Sequence, residues 1–242
     1  MGQSRWRGRW WLSWWLCCLL CCGLAQAEPL VLGAADAVSP RGAQVQVMED
    51  AGGSWTLAQV LAAGQAGAWQ PSGSSQLSFG YSRSAFWLKL DLINRHATEH
   101  TWQLGLRYPL LDEVDFYVVD AQGQMRQHHA TGDRRPFDTR PVAAAHFYVN
   151  VPLRTGEAGT VYVRLRSMGS LQVPLVVTTP TARLDLSRIE FGWMGLYGGA
   201  LLAMLLYNLM LYVSLRDRSY LYYVGYLGAF GMAQLTMSGL AY

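Results

Sequence analysis

The sequence predicts a mainly β exported domain, an antiparallel jelly roll or β-sandwich, followed by transmembrane α-helices. Three observations carry that prediction. Between Pro29 and Thr178, short apolar runs alternate with polar residues at a period of two, the pattern of half-buried strands. From Phe191 to Val213 no residue is charged, and those 23 residues make about 35 Å of helix, enough to cross a bilayer. The first 27 residues have a three-part layout. Arg5, Arg7 and Arg9 precede the apolar run from Trp10 to Gly23, and Ala25-Gln26-Ala27 follows, as in a signal peptide.

The run from Trp10 to Gly23 is short for about 30 Å of hydrocarbon, so residues 1–27 are expected to be cleaved, leaving Glu28 as the mature N-terminus. The four cysteines (17, 18, 21 and 22) lie inside that peptide. The mature chain then has no disulfide framework and no cysteine-ligated metal. Hydrophobic residues make up 51% of the chain and charged ones 14%. That imbalance is concentrated in the first 24 residues and after Glu190. The formal charge of +3 comes from the three leading arginines, since the rest of the chain balances 16 basic against 16 acidic residues. Without a basic stripe, nucleic acid is excluded as a partner.

The exported domain is expected over 28–182, with about eight short strands. In Phe86 to Ile93, Leu88, Leu90 and Leu92 share one face while Trp87, Lys89 and Asp91 share the other. Trp102, Leu104 and Leu106 repeat the pattern, as do Val114, Phe116 and Val118, and Ala121 to Gln124 reads as a hairpin turn. Later runs cover 145–151, 160–166 and 171–178, and weaker ones 30–32 and 44–48. A short helix is predicted over 54–61 with Ser54 as its N-cap, and the Gly- and Ser-rich stretch 64–75 reads as loop. Polar alternate faces argue for antiparallel sheets rather than a parallel one.

A juxtamembrane linker is expected over 183–190, where Arg183, Asp185, Arg188 and Glu190 form a charged collar. The first span is 191–213, the polar loop 214–219, and a second uncharged segment 220–242. Arg216 and Arg218 in so short a loop place it in the cytoplasm. This puts the β domain on the far side of the membrane, as the leader peptide also requires.

The residues supply no enzyme signature, so this portion is expected to be non-catalytic and without cofactor. His96, His100, His128, His129 and His146 lack metal-ligand spacing, and neighbours 128 and 129 in a strand point to opposite faces. With Val114, Phe116 and Val118 inward, Glu113 and Asp115 would share a solvated face beside Asp112. The better ligand-binding candidates are Trp87, Arg135, Phe137 and Arg140. Flat rings suit sugars and guanidinium groups suit carboxylates, and loops on a rigid sandwich often bind. The bland readings are that Trp87 packs under a loop or against the membrane helices, and that Arg135 and Arg140 bond loop carbonyls or Asp133 and Asp138. Asn208 and Gln234 are expected to bond between helices.

The run from Gly198 to Tyr212, with Tyr207-Asn208 inside it, leads into Arg216-Asp217-Arg218-Ser219-Tyr220-Leu221-Tyr222-Tyr223. This resembles the opening of the seven-helix membrane region of bacterial 7TMR-DISM ("diverse intracellular signalling module") receptors. Ala85 to Leu90 with Asn94, Gly132 to Phe137 with Arg140, and Ser170 to Leu175 resemble that family's type-2 extracellular domain. The resemblance implies a jelly roll similar to carbohydrate-binding modules, an inner-membrane location with the domain in the periplasm, and a small-molecule ligand such as a carbohydrate. It also implies five more helices and a cytoplasmic output beyond Tyr242, typically a cyclic-di-GMP synthase or histidine kinase. The chain is therefore expected to be the N-terminal portion of a receptor, with a homodimer as one assembly such sensors adopt. The competing reading is a membrane-anchored carbohydrate-binding or envelope scaffold protein without signalling.

Overall fold

The alternating leucines of the longest strand set the layout, because they must be buried on one side only. A computed structural model describes residues 28–33, 35–73 and 77–238; the expected signal peptide lies outside them. The elements in chain order are β1 (Leu30–Leu32), β2 (Ala37–Val38), β3 (Val45–Asp50), α1 (Leu57–Gln65), β4 (Gln70–Pro71), β5 (Leu77–Tyr81) and β6 (Ala85–Asn94). They continue with β7 (Thr101–Leu106), β8 (Glu113–Asp120), β9 (Met125–Thr131), β10 (Phe147–Pro152), β11 (Ala158–Arg166), β12 (Ser170–Val173) and β13 (Leu175–Thr178). Two long helices close the series, α2 (Pro180–Leu215) and α3 (Arg218–Met237).

The large sheet runs β4-β3-β6-β11-β8-β9, with β1 added beside the end of β6. A second sheet runs β10-β7-β13-β2, and β12 pairs with β5. All pairings are antiparallel except β1 with β6. One core joins the layers. Leu88, Leu90 and Leu92 of β6 meet Val161, Val163 and Leu165 of β11 and Val114, Phe116 and Val118 of β8 on one side. Trp102, Leu104 and Leu106 of β7, with Phe147, Val149 and Val151 of β10, face them. Each such side chain contributes about 1.5–3 kcal/mol by leaving water, so the predicted inward faces are the ones that hold the sandwich.

Three boundaries differ from expectation for local reasons. The run 171–178 is two strands, because Pro174 has no N–H to continue a ladder; its carbonyl instead accepts the Arg107 N–H at 3.0 Å. The short helix starts at Leu57 with Thr56 as N-cap, not Ser54. Thr56 N–H donates to Gln59 Oε1 at 2.8 Å while Thr56 Oγ1 accepts the Gln59 N–H, a reciprocal cap. Ser54 lies in a turn held by buried Asp50, whose carboxylate accepts the N–H groups of Gly53 and Trp55, both at 2.8 Å. The stretch read as loop over 64–75 contains the end of α1 and β4.

The collar at 183–190 is not a separate linker. Thr179 caps a single 36-residue helix with Pro180 at its first turn, where a missing N–H costs nothing. The helix ends at Arg216 in the left-handed conformation, and Asp217 caps α3, which turns back along α2. Among the described residues, α2 alone is long and apolar enough to cross a membrane by length and composition. The 20 residues of α3 carry four tyrosines and Gln234 and fall short of that measure.

Candidate functional site

Strand register puts three cross-strand rows on the outward face of the large sheet. Met48, Trp87, Arg164 and Asp115 form one, Gln46, Lys89, Tyr162, Tyr117 and His128 the next, and Asp91, Thr160 and Val119 the third. Trp87 does lie opposite the leucine face, but it is 0% exposed, so it offers no platform to a ligand. Helix α1 covers it: Met48, Val60, Val119 and Tyr162 form one buried cluster with the indole. Its ring lies 5.5 Å from that of Tyr117, which in turn stacks on His128 at 4.4 Å.

Beside the C-terminal end of α1 the same face opens into a groove of about 640 Å³ whose walls include Gln65, Trp69, Lys89, Asp91, Asp120 and Tyr162. Trp69 is half-buried, its ring 5.9 Å from that of Tyr162. Gly64 makes room for it, since a Cβ there would stand 2.2 Å from Trp69 Nε1. Lys89 Nζ pairs with Asp91 Oδ2 at 2.9 Å, and Asp91 Oδ1 accepts the Thr160 hydroxyl at 2.7 Å. Burial, then the Asp91 charge, pushes the Tyr162 phenol up to about 12, so it stays a neutral donor. Asp120 accepts the Gln124 N–H at 2.8 Å, which with Arg126 and Gln122 holds its carboxyl below the usual range. Two aromatic rings and several fixed polar groups in one concavity suit a polyhydroxylated ligand. Reading the sequence missed Trp69, because its signal was a lone tryptophan in loop-like text.

The four residues singled out from sequence do not form one site: Arg140 meets Phe137, whereas Trp87 is buried under α1 and Arg135 turns to Asp115. Arg140 is 8% exposed and donates to the carbonyls of Ala144 and Ala145 at 2.7 and 2.8 Å. Its guanidinium also lies 4.7 Å from the ring centroids of Phe137 and Phe147. It clamps the loop between β9 and β10, and Phe137 stands exposed on that clamp. Arg135 Nη2 instead lies 3.6 Å from Asp115 Oδ1.

Asp115 is not on a solvated face. It is buried, 3.0 Å from Arg164 Nη1, which is also 3.3 Å from Glu113. Arg164 Nη2 donates to the Gly53 carbonyl at 2.8 Å. The turn before α1 and Arg135 therefore roof a carboxylate that alternation alone would leave in water.

The outward face of the small sheet is covered by the first turns of α2. Arg183 Nε donates to Gln103 Oε1 at 2.8 Å, and the amide of Gln103 donates to Asn150 Oδ1 at 2.8 Å. The Arg183 guanidinium lies 5.6 Å above the Tyr148 ring. Tyr148 fits because its neighbour is Gly105, where a Cβ would stand 2.3 Å from the ring. Two turns on, Glu190 bonds Arg107 and lies 3.6 Å from His146 Nε2. Proximity to Glu190 would favour a charged imidazole, but that carboxylate is already held by Arg107. Burial, then Arg107 and Arg140, pushes His146 down to about 4. Its Nδ1 is buried without a partner.

The chain matches the family model of the 7TMR-DISM extracellular 2 domain over residues 42–179 and that of 7TM diverse intracellular signalling over 190–242. No curated protein matches it. Among solved structures, β-glucuronidase from Ruminococcus gnavus is 12% identical over 63% of this chain and 31% of its own, with a TM-score of 0.35. Insecticidal delta-endotoxin Cry8Ea1 from Bacillus thuringiensis is 13% identical over 45% of this chain and 20% of its own, at 0.28. TmCBM61, solved with β-1,4-galactotriose, is 10% identical over 58% of this chain and 85% of its own, at 0.25. The chain thus spans between a fifth and a third of the first two.

Proposed function

We propose, from the premise that this chain belongs to the 7TM diverse intracellular signalling receptors with the extracellular 2 domain, that its sandwich senses a ligand in the periplasm. The receptor is a membrane sensory protein. The finer reading places it in a bacterial inner membrane after loss of residues 1–27. It takes α3 as a second span, keeps this portion non-catalytic, and leaves the response to a cytoplasmic output module.

One observation supports signalling over simple anchoring. The helix that enters the membrane begins as the cover of the sandwich's own small sheet, without a break between Pro180 and Leu215. A stiff helix at about 1.5 Å per residue carries any tilt at Arg183 or Glu190 straight into the bilayer. A ligand shifts such an equilibrium only by its differential affinity for the two arrangements. The groove of Trp69, Tyr162, Lys89 and Asp91 is where that ligand would bind, and its chemistry favours a neutral sugar.

The test uses the full chain in nanodiscs, with thermal unfolding followed against neutral mono- and trisaccharides, uronic acids and amino acids. A sugar at about 100 times its dissociation constant should add about 2.7 kcal/mol of stability. Gly64→Ala, which displaces Trp69, and Trp69→Ala should abolish the shift. Spin labels on β7 and α2 should report a changed distance on binding. Binding with no change in that distance would instead support an envelope scaffold.

A further inference from the structure

The direction of α2 decides which end of the sandwich meets the bilayer. Its first turns run from Gln103, contacted by Arg183, to Arg107, contacted by Glu190. The apolar span therefore leaves at the end where β7 finishes and where β6 and β8 begin. At that end Arg83, Arg134 and Arg166 line a cleft of about 210 Å³, together with Asp112, Ser167 and Met168.

The carboxylates of the cleft are already engaged. Asp112 Oδ2 accepts the Met168 N–H at 2.8 Å and its Oδ1 lies 3.5 Å from Arg134 Nε. Glu113, also on the wall, faces Arg164 at 3.3 Å. Arg83 and Arg166 are exposed, and among the described residues no ion pair holds either of them. Guanidinium groups left over in a concavity are a site for an oxyanion. Around it Tyr81, Phe137 and Met168 also stand exposed, and ring and thioether groups of this kind favour the boundary between headgroups and acyl chains.

We propose that this cleft binds the phosphate of an anionic phospholipid headgroup in the leaflet that α2 enters, with Arg83 and Arg166 as its main contacts. The sandwich is thereby seated on the membrane, which fixes the frame against which the α2 joint moves. The inference rests on α2 as a span and not on the sugar groove, so the two succeed or fail separately.

The experiment is hydrogen exchange on the full chain in nanodiscs of phosphatidylcholine alone and of an equal mixture with phosphatidylglycerol. In the mixed discs the amides of 82–84, 132–135 and 166–169 should exchange roughly 30- to 150-fold more slowly, as two or three arginines at an anionic surface would produce. Arg83→Ala, a loop variant, and Arg166→Ala should lose that gain, while unchanged protection in β7 and β8 shows that the fold is intact. Equal exchange in both discs, or a gain that survives both substitutions, overturns the proposal. A third arm adds inorganic phosphate to the phosphatidylcholine discs. Full protection from phosphate with none from phosphatidylglycerol would also overturn it, in favour of a soluble anion.

Discussion

Each outward face of the sandwich is covered by a helix, but the two covers differ in kind. On the large sheet, α1 rests on Trp87, Met48, Val119 and Tyr162 through Val60, an apolar contact. On the small sheet, the start of α2 rests on Gln103, Tyr148, Arg107 and His146 through a hydrogen bond, a cation–ring contact and a shared carboxylate. Apolar burial is non-directional and is lost only by exposing the whole patch. Exposed ion pairs are worth about 0–1 kcal/mol, and Arg107 and Glu190 are 36% and 37% exposed. The first cover belongs to the folded domain. The second rests on polar contacts that can be lost one by one, which is the property the proposed signalling joint needs.

The contrast can be broken at its strongest point by Trp87→Ala. Removing a fully buried indole should cost about 3–5 kcal/mol, read as a lower denaturant midpoint with loss of α1 protection. If it costs no more than a change at Glu190, the two covers do not differ.

A pH titration comes next. His146 is held neutral to about 4 in the folded chain and titrates near 6.5 when unfolded. As pH falls through that window the unfolded state takes up the proton first, so stability should drop by up to about 3 kcal/mol. His146→Asn should flatten that slope, and a wild type whose stability rises from pH 6.5 to 4 would contradict an imidazole held neutral by burial beside Arg107 and Arg140.

Gly105→Ala forces the Tyr148 ring off the strand and away from Arg183. A cost of about 1–3 kcal/mol is expected from overpacking, with looser exchange at 180–190 rather than at α1. The smallest effect on stability should come from Glu190→Gln, below about 1 kcal/mol. The spin-label distance between β7 and α2 should nevertheless broaden. A sharp, unchanged distance would mean that the carboxylate does not hold the joint.

Much of the fold was legible because inward residues repeat at a period of two. Leu88, Leu90 and Leu92 needed nothing but their own alternation, and Asp120 to Gln124 closed the expected hairpin with Gln122, Gly123 and Gln124 N–H groups all donating to Asp120. The candidate site was less legible. Alternation placed Trp87 on the outward face but could not show that Val60, 27 residues earlier, would cover it. For Arg140 the sequence left two readings, a ligand contact or a bond to loop carbonyls, and the structure takes the second, with Ala144 and Ala145 as partners that the sequence could not single out. Trp69 was passed over since its value depends on Gly64 and on Tyr162, which lies far along the chain.

The sequence by itself determined what solvation decides residue by residue: which strand faces are buried, where the chain becomes too apolar for water, and which family it resembles. Tertiary structure alone decided what meets what. It put α1 over Trp87, buried Asp115 between Arg164 and Arg135, and made the charged collar the first turns of one helix lying on the small sheet. Burial follows a local pattern of side chains, whereas a groove or a joint arises between segments far apart in the chain, and only their packing brings those groups within reach.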